Sequence, residues 1–132
     1  MASRFQFDSM TKYITIQNNN RKIDSLPHIK LCDTFLTQLR GFTLHARLSP
    51  DEGLLLVGKR DSRLDSSIHM LFVFFDLAVF WINADQQVVD KVIAKTWRPA
   101  YISRQPAQYV LEIHPDRWGD YEIGDTVQFK DA

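Results

Sequence analysis

Only one cysteine, Cys32, occurs in the 132 residues. That excludes an internal disulfide and a thiolate zinc site. Charge of one sign is also missing. Lysine plus arginine and aspartate plus glutamate balance at 16 each, so the basic excess expected of a nucleic-acid binder is absent and no nucleic-acid partner is expected. The chain has no Pro/Gly/Ser-rich linker, no internal repeat and no low-complexity segment. It opens Met1-Ala2-Ser3-Arg4-Phe5-Gln6-Phe7-Asp8, without the apolar core of a signal peptide. Its densest apolar run, Ile68–Ile82, falls short of the ~20 residues a spanning helix needs and carries Asp76 in its middle. The expectation is a soluble cytoplasmic protein that does not enter membranes.

What is present is enough for one domain. Hydrophobic residues make up 45% and charged residues 24%, a globular balance in which roughly two thirds of the unfolded chain's surface can be buried at this length. Residues 1–9 read as a tail and 10–132 as a single domain.

Short β-forming stretches alternate with turn signals. Tyr13-Ile14-Thr15-Ile16 alternates in β-formers, Asn18-Asn19-Asn20 follows as turn, and Ile29–Cys32 reads as a second extended stretch. Asp33 or Thr34 caps a short helix with Phe35, Leu36 and Leu39 on one face and Gly41 at its exit. After a turn at Ser49–Gly53, Leu54–Val57 is a buried strand ended by Gly58, and Lys59–Ser67 is a charged, mobile loop. The aromatic run Ile68–Ile82 reads as two strands, or one long strand, kinked near Asp76. Asn83–Gln87 is a hairpin loop and Val88–Ala94 the returning strand. Tyr109–His114 is a strand, Pro115–Gly119 a short helix or turn, and Thr126–Phe129 the closing strand. The class is mainly β: a single-domain sandwich of jelly-roll type or a partly closed barrel, with one or two short helices.

Several blocks in this order resemble a known family. They are Arg40-Gly41-Phe42 with Leu48 and Glu52-Gly53-Leu54-Leu55-Leu56, then Ser67-Ile68-His69-Met70-Leu71-Phe72, and the Asp85–Val89 hairpin. Thr96-Trp97-Arg98, and Tyr109-Val110-Leu111-Glu112 with Gly124-Asp125-Thr126-Val127, complete the set. Over residues 28–130 the chain resembles the prokaryotic family called domain of unknown function 192. The resemblance implies a compact β-rich fold and brings no activity, cofactor or catalytic residue with it. Where family members carry a Pro-x-Asp step, this chain reads Asp76-Leu77-Ala78, and Phe74 stands at a usually polar position.

Six residues are candidate ligand contacts. His69, beside hydrophobic walls, suits acid–base work or a backbone-satisfied strand entrance. Asp76 is a buried carboxylate of raised pKa, paired with Arg40, Arg98 or His69, or else a solvent-facing kink residue. Trp97 and Arg98 offer an apolar wall beside a planar cationic fork, or they staple a corner with Arg98 paired to Glu112 or Asp90. Arg40 suits a helix C-terminus. His28, His45, His69 and His114 are too scattered for a metal site, and Cys32 reads as a core residue. No nucleophile elbow or phosphate loop occurs, so no catalytic residue and no cofactor are expected.

These features favour a non-enzymatic binding module for a small anionic and apolar ligand or a partner peptide. The alternatives are an acid–base enzyme using His69 with Asp76 or Glu112, and a homo-oligomer, such as a homodimer, joined through exposed aromatics.

Overall fold

The computed structural model describes residues 12–32, 48–68, 70, 73–96, 98 and 100–132. These hold seven strands: β1 Tyr13–Asn18, β2 His28–Cys32, β3 Glu52–Ser62, β4 Leu77–Ile82, β5 Val88–Ala94, β6 Ala107–Ile113 and β7 Val127–Asp131. A 3₁₀ helix, Pro115–Asp120, joins β6 to β7. The mainly-β expectation holds, and its barrel form describes the molecule: one sheet in the order β5-β4-β6-β3-β2-β1-β7, curled into a half-barrel. Among the described residues, no helix is long and apolar enough to cross a membrane.

All strand pairs are antiparallel except β2 and β3, which run parallel with His28 opposite Glu52 and Cys32 opposite Leu56. A parallel pair needs a crossover, and the helix expected at 33–41 between these strands lies outside the described residues.

β4 lies between β5 and β6 in the sheet. Every residue of Leu77-Ala78-Val79-Phe80-Trp81-Ile82 is buried, because both faces of the sheet are covered there. That explains why its sequence shows no alternation. Ala78, Phe80 and Ile82 join the core on one face with Ile16, Leu55, Leu111, Ile113 and Tyr121. Leu77, Val79 and Trp81 join the other with Leu54, Met70, Val73 and Val110. Trp81 is accommodated there because its indole N–H donates to the Ser66 carbonyl at 2.8 Å.

The two edges of the half-barrel meet at one end. Gln87 bridges Thr126, the Val88 amide donates to Asp125 at 2.8 Å, and Gly124, at φ 99°, donates back to Val88 at 2.8 Å. Lys91, with its side chain only 8% exposed, locks the 3₁₀ helix over this end. Its ammonium donates to the Trp118 and Tyr121 carbonyls at 3.0 and 3.1 Å and lies 3.8 Å from the Trp118 ring.

Two expectations are corrected. The strand expected to end at Gly58 continues to Ser62, through an irregularity after Val57, so the first part of the expected charged loop is strand. Its polar residues are tied into the sheet neighbourhood: Asp61 accepts from the Ala84 amide at 2.8 Å and Gly58 accepts from Gln108 Nε2 at 3.0 Å. Of the aromatic run expected as two strands or one long bent strand, only the part after Asp76, β4, is strand among the described residues. Before Asp76, the described residues show an isolated bridge at Ile68 and a hydrogen bond from the Val73 amide to the Met70 carbonyl at 3.1 Å. Burial of Met70 and Val73 against the face of β4 outweighs their β-propensity.

Candidate functional site

Strand register assembles the face that carries the candidate residues. Lys30, Leu54, Glu112, Val79 and Val92 stand side by side across β2, β3, β6, β4 and β5. The next row inward reads Cys32, Leu56, Val110, Trp81 and Asp90. Glu112 is therefore a carboxyl in an apolar row, flanked by Leu54 and Val79.

Glu112 is only 6% exposed. Among the described residues no hydrogen-bond donor or cation meets its carboxyl. Burial away from water disfavours the charged form and pushes its pKa up to about 7. The expected staple to Arg98 does not form. The other expected partner of Arg98, Asp90, is taken by Arg104, whose amide, Nε and Nη2 donate to it at 2.8, 3.1 and 2.7 Å.

Asp76 is a different kind of carboxylate. Its side chain is 38% exposed. One oxygen accepts from the Thr96 amide and hydroxyl, both at 2.9 Å, and the other lies 3.4 Å from Lys95 Nζ. The Thr96 amide, helped by the Thr96 hydroxyl and Lys95, holds its pKa below the usual carboxylate range against a smaller opposing effect of burial. The reading of a buried acid with raised pKa is thus corrected, and so is its pairing with Arg98. Asp76 anchors the start of β4 to the end of β5.

Arg98 is exposed. Its backbone is fixed on both sides: the amide donates to Lys95 and the carbonyl accepts from Met70, at 3.2 and 3.1 Å. The guanidinium carbon lies 5.0 Å from the centre of the Tyr101 ring, within the range of a cation–π contact. Tyr101 is itself held, its hydroxyl accepting from the Lys95 amide at 2.7 Å and its backbone exchanging hydrogen bonds with Ile68. No carboxylate pairs with Arg98 among the described residues.

Arg40, His69 and Trp97 lie outside the described residues. Asp76 is held by Thr96 and Lys95, Arg98 stacks on Tyr101, and Glu112 stands opposite Val79 on β6; the described contacts join no two of the three. Cys32 is buried in the core, as expected. His114 accepts a hydrogen bond from the Asp116 amide through Nδ1 at 3.0 Å and caps the 3₁₀ helix.

Two features escaped the sequence reading. The Tyr101 platform gives no local signal, because Arg98 and Tyr101 meet only through a backbone corner. A cleft of about 570 Å³ lined by Tyr13, His28, Ser49, Asp51, Glu52 and Ala132 was also missed. It is built from strands distant in sequence, and only the parallel register of β2 and β3 brings His28 to Glu52. No group of three metal-ligating side chains occurs among the described residues.

Residues 14–129 match the family described as DUF192, "Uncharacterized ACR". The UPF0127 protein of Thermococcus gammatolerans is 35% identical over 104 residues, covering 77% of this chain and 66% of that protein. UPF0127 protein TK1120 of Thermococcus kodakarensis is 38% identical over 103 residues, covering 76% of this chain and 64% of that protein. The match thus spans slightly less than two thirds of either relative's length. A crystal structure from Sinorhizobium meliloti, provisionally called a transcription regulator, superposes with a TM-score of 0.76 at 18% identity, covering 91% of this chain and 94% of that one. At that identity the likeness is one of fold. The family match runs from within β1 to within β7, and the chain belongs to the uncharacterised DUF192 family.

Proposed function

We propose that this protein is a non-enzymatic binding module for a small anionic and apolar ligand, or for a partner peptide that presents such a group. The observation that carries this reading is Arg98: an exposed guanidinium set over the Tyr101 ring, on a backbone fixed at both ends and with no carboxylate partner among the described residues. An arginine held against an aromatic ring offers a pre-oriented planar fork to a carboxylate or phosphate. A reducing cytoplasmic setting fits the buried Cys32, which is in no disulfide.

An acid–base enzyme retains one supporting observation, the Glu112 carboxyl with its pKa near 7. It needs a second titrating group converging on the first. His69, the partner expected for Glu112, lies outside the described residues, and Asp76, the alternative carboxylate, is engaged by Thr96 and Lys95. The binder is therefore preferred.

The test is a thermal-shift screen against small carboxylates and phosphates. A ligand at a hundred times its dissociation constant stabilises by about 2.7 kcal/mol, a shift of several degrees for a domain of this size. Arg98→Ala should erase the shift without lowering the melting temperature of the unliganded protein, since the side chain is exposed and only stacks on Tyr101. Indifference to every anion, or an Arg98→Ala protein that unfolds, would show the corner to be structural.

A further inference from the structure

The Arg98 corner carries a second cation. The Arg98 amide donates to the Lys95 carbonyl at 3.2 Å, a turn contact that brings the two Cα atoms to within about 7 Å. The Tyr101 ring touches both residues. Its hydroxyl accepts from the Lys95 amide at 2.7 Å, and the Arg98 guanidinium carbon lies 5.0 Å from its centre. The Tyr101 backbone is in turn bridged to Ile68 in both directions. One turn and one ring therefore fix the spacing at which the two cationic side chains leave the backbone, and the ring also orients the guanidinium.

The Lys95 ammonium can turn toward that neighbour. Its side chain is 66% exposed, and its partner among the described residues is Asp76 Oδ2, at 3.4 Å. Asp76 does not depend on it. Oδ1 accepts from the Thr96 amide and hydroxyl, both at 2.9 Å, and the Thr96 amide leads in keeping the carboxyl ionised. Moving the ammonium thus gives up only a long, solvent-screened contact, a kind that contributes little. Arg104 and Asp90, the other charged pair near the end of β5, are bonded to each other.

A carboxylate and a phosphoryl group differ in what they leave over once an arginine fork has bound. The fork takes two oxygens. A carboxylate then has no third oxygen, whereas a phosphoryl dianion keeps one, together with a second negative charge. Lysine binds phosphate as a point charge and needs no fixed plane. A mobile ammonium beside an oriented guanidinium suits that third oxygen.

We propose that the ligand of the Arg98 corner is a phosphoryl dianion, with Arg98 gripping two of its oxygens and Lys95 leaving Asp76 to meet the third. This rests on the reading of Arg98 as an anion site and narrows its ligand to a phosphomonoester or free phosphate. Asp76 stays on Thr96 throughout, so binding leaves the junction of β4 and β5 intact.

The experiment is calorimetric titration of the full chain at pH 8, where a phosphomonoester carries two charges. The probes are phenyl phosphate, methyl phosphate, inorganic phosphate, benzenesulfonate and benzoate. Benzenesulfonate has three oxygens but one charge, and benzoate has two oxygens and one charge. The phosphates should bind roughly fivefold more tightly than either. Lys95→Gln should remove that advantage and leave benzoate binding unchanged, Lys95→Arg should keep it, and Arg98→Ala should abolish binding of every anion. Equal affinity for benzoate and phenyl phosphate, or an undiminished phosphate preference in Lys95→Gln, would overturn the proposal and leave Arg98 as a general anion site. Absence of binding by every anion, or undiminished binding in Arg98→Ala, would overturn both readings. Tighter binding of phenyl phosphate than of inorganic phosphate identifies a monoester as the ligand, and the reverse order identifies free phosphate.

Discussion

Among the described residues, Asp125, Asp76 and Glu112 are three of four carboxyl groups with a displaced pKa, and the contrast between them is set by what each oxygen meets. Asp125 accepts from Arg21 Nε at 2.6 Å, from Asn18 and from the Glu122 amide, and the arginine leads in lowering its pKa to about 2. Asp76 moves the same way through Thr96. Glu112 meets apolar side chains and rises to about 7. Its effect on stability follows from proton counting. Between its ordinary value of 4.5 and about 7, the native state holds a proton that the unfolded state has released, so stability falls as pH rises through that window and levels off above it. The loss is at most on the order of 3 kcal/mol, at 1.36 kcal/mol per pKa unit. Glu112→Gln should remove this slope and melt higher than the parent protein at pH 8, with little difference at pH 4.5. Chemical denaturation at both pH values checks it, and a parent protein with a flat profile from pH 5 to 8 would contradict the account.

At the level of elements, β3 is tightly packed at Gly53. Gly53 lies between β2 and β6, where a Cβ would meet Ile113 Cγ2 at 2.5 Å and the Glu112 carbonyl at 2.7 Å. Backbone cannot yield as a flexible side chain does, so Gly53→Ala should destabilise by about 1–3 kcal/mol through overpacking. A lowered urea midpoint with an unchanged slope would confirm it, and a neutral result would mean that β6 shifts freely. Strands bounded by clear turn signals were legible in the sequence, including Leu54–Val57 on β3, Tyr109–His114 on β6 and Thr126–Phe129 on β7. Tyr13–Ile16, Ile29–Cys32 and Val88–Ala94 all fall within or on β1, β2 and β5. Where neighbours override local preference, the reading failed. Polar Lys59–Ser62 is strand because β6 and the Asn83–Gln87 loop provide partners. Of the segment before Asp76, the described Met70 and Val73 are not strand, and their apolar side chains pack with Leu77, Val79 and Trp81 of β4.

For the whole molecule, closure of the half-barrel is the organising event. Lys91 reaches from β5 across Phe80 to the 3₁₀ helix, where it meets two carbonyls, the Trp118 ring and Glu122 at 3.0 Å. Tyr121, behind it, donates to the Ile16 carbonyl at 2.7 Å and so ties the same helix to β1. Lys91→Ala leaves those carbonyls without a donor and opens a gap beside the aromatic rings. A cost of about 2–4 kcal/mol is expected, the range for breaking a buried polar contact and losing packing together. Hydrogen exchange should rise first in residues 115–127 and in the Val88–Gly124 contacts. If protection there is unchanged, closure depends on the Gln87–Thr126 bridge instead.

The candidate site was partly legible. Arg98 and Glu112 were singled out from chain chemistry, and Asp76 from its place in an apolar run, but the pairings offered for Arg98 do not form. Side-chain partners depend on register and on backbone corners, and those are set by contacts between residues tens of positions apart. Composition and alternation by themselves determined the mainly-β class, the buried Cys32, the helix start at Pro115 and the order of blocks that marks the family, because each is a local or compositional property. Only the tertiary structure decided that the sheet curls and closes, that Asp76 is held by Thr96, and that Glu112 stands without a partner among the described residues. Those outcomes depend on which strands become neighbours, and that choice is made by the free energy of the whole core.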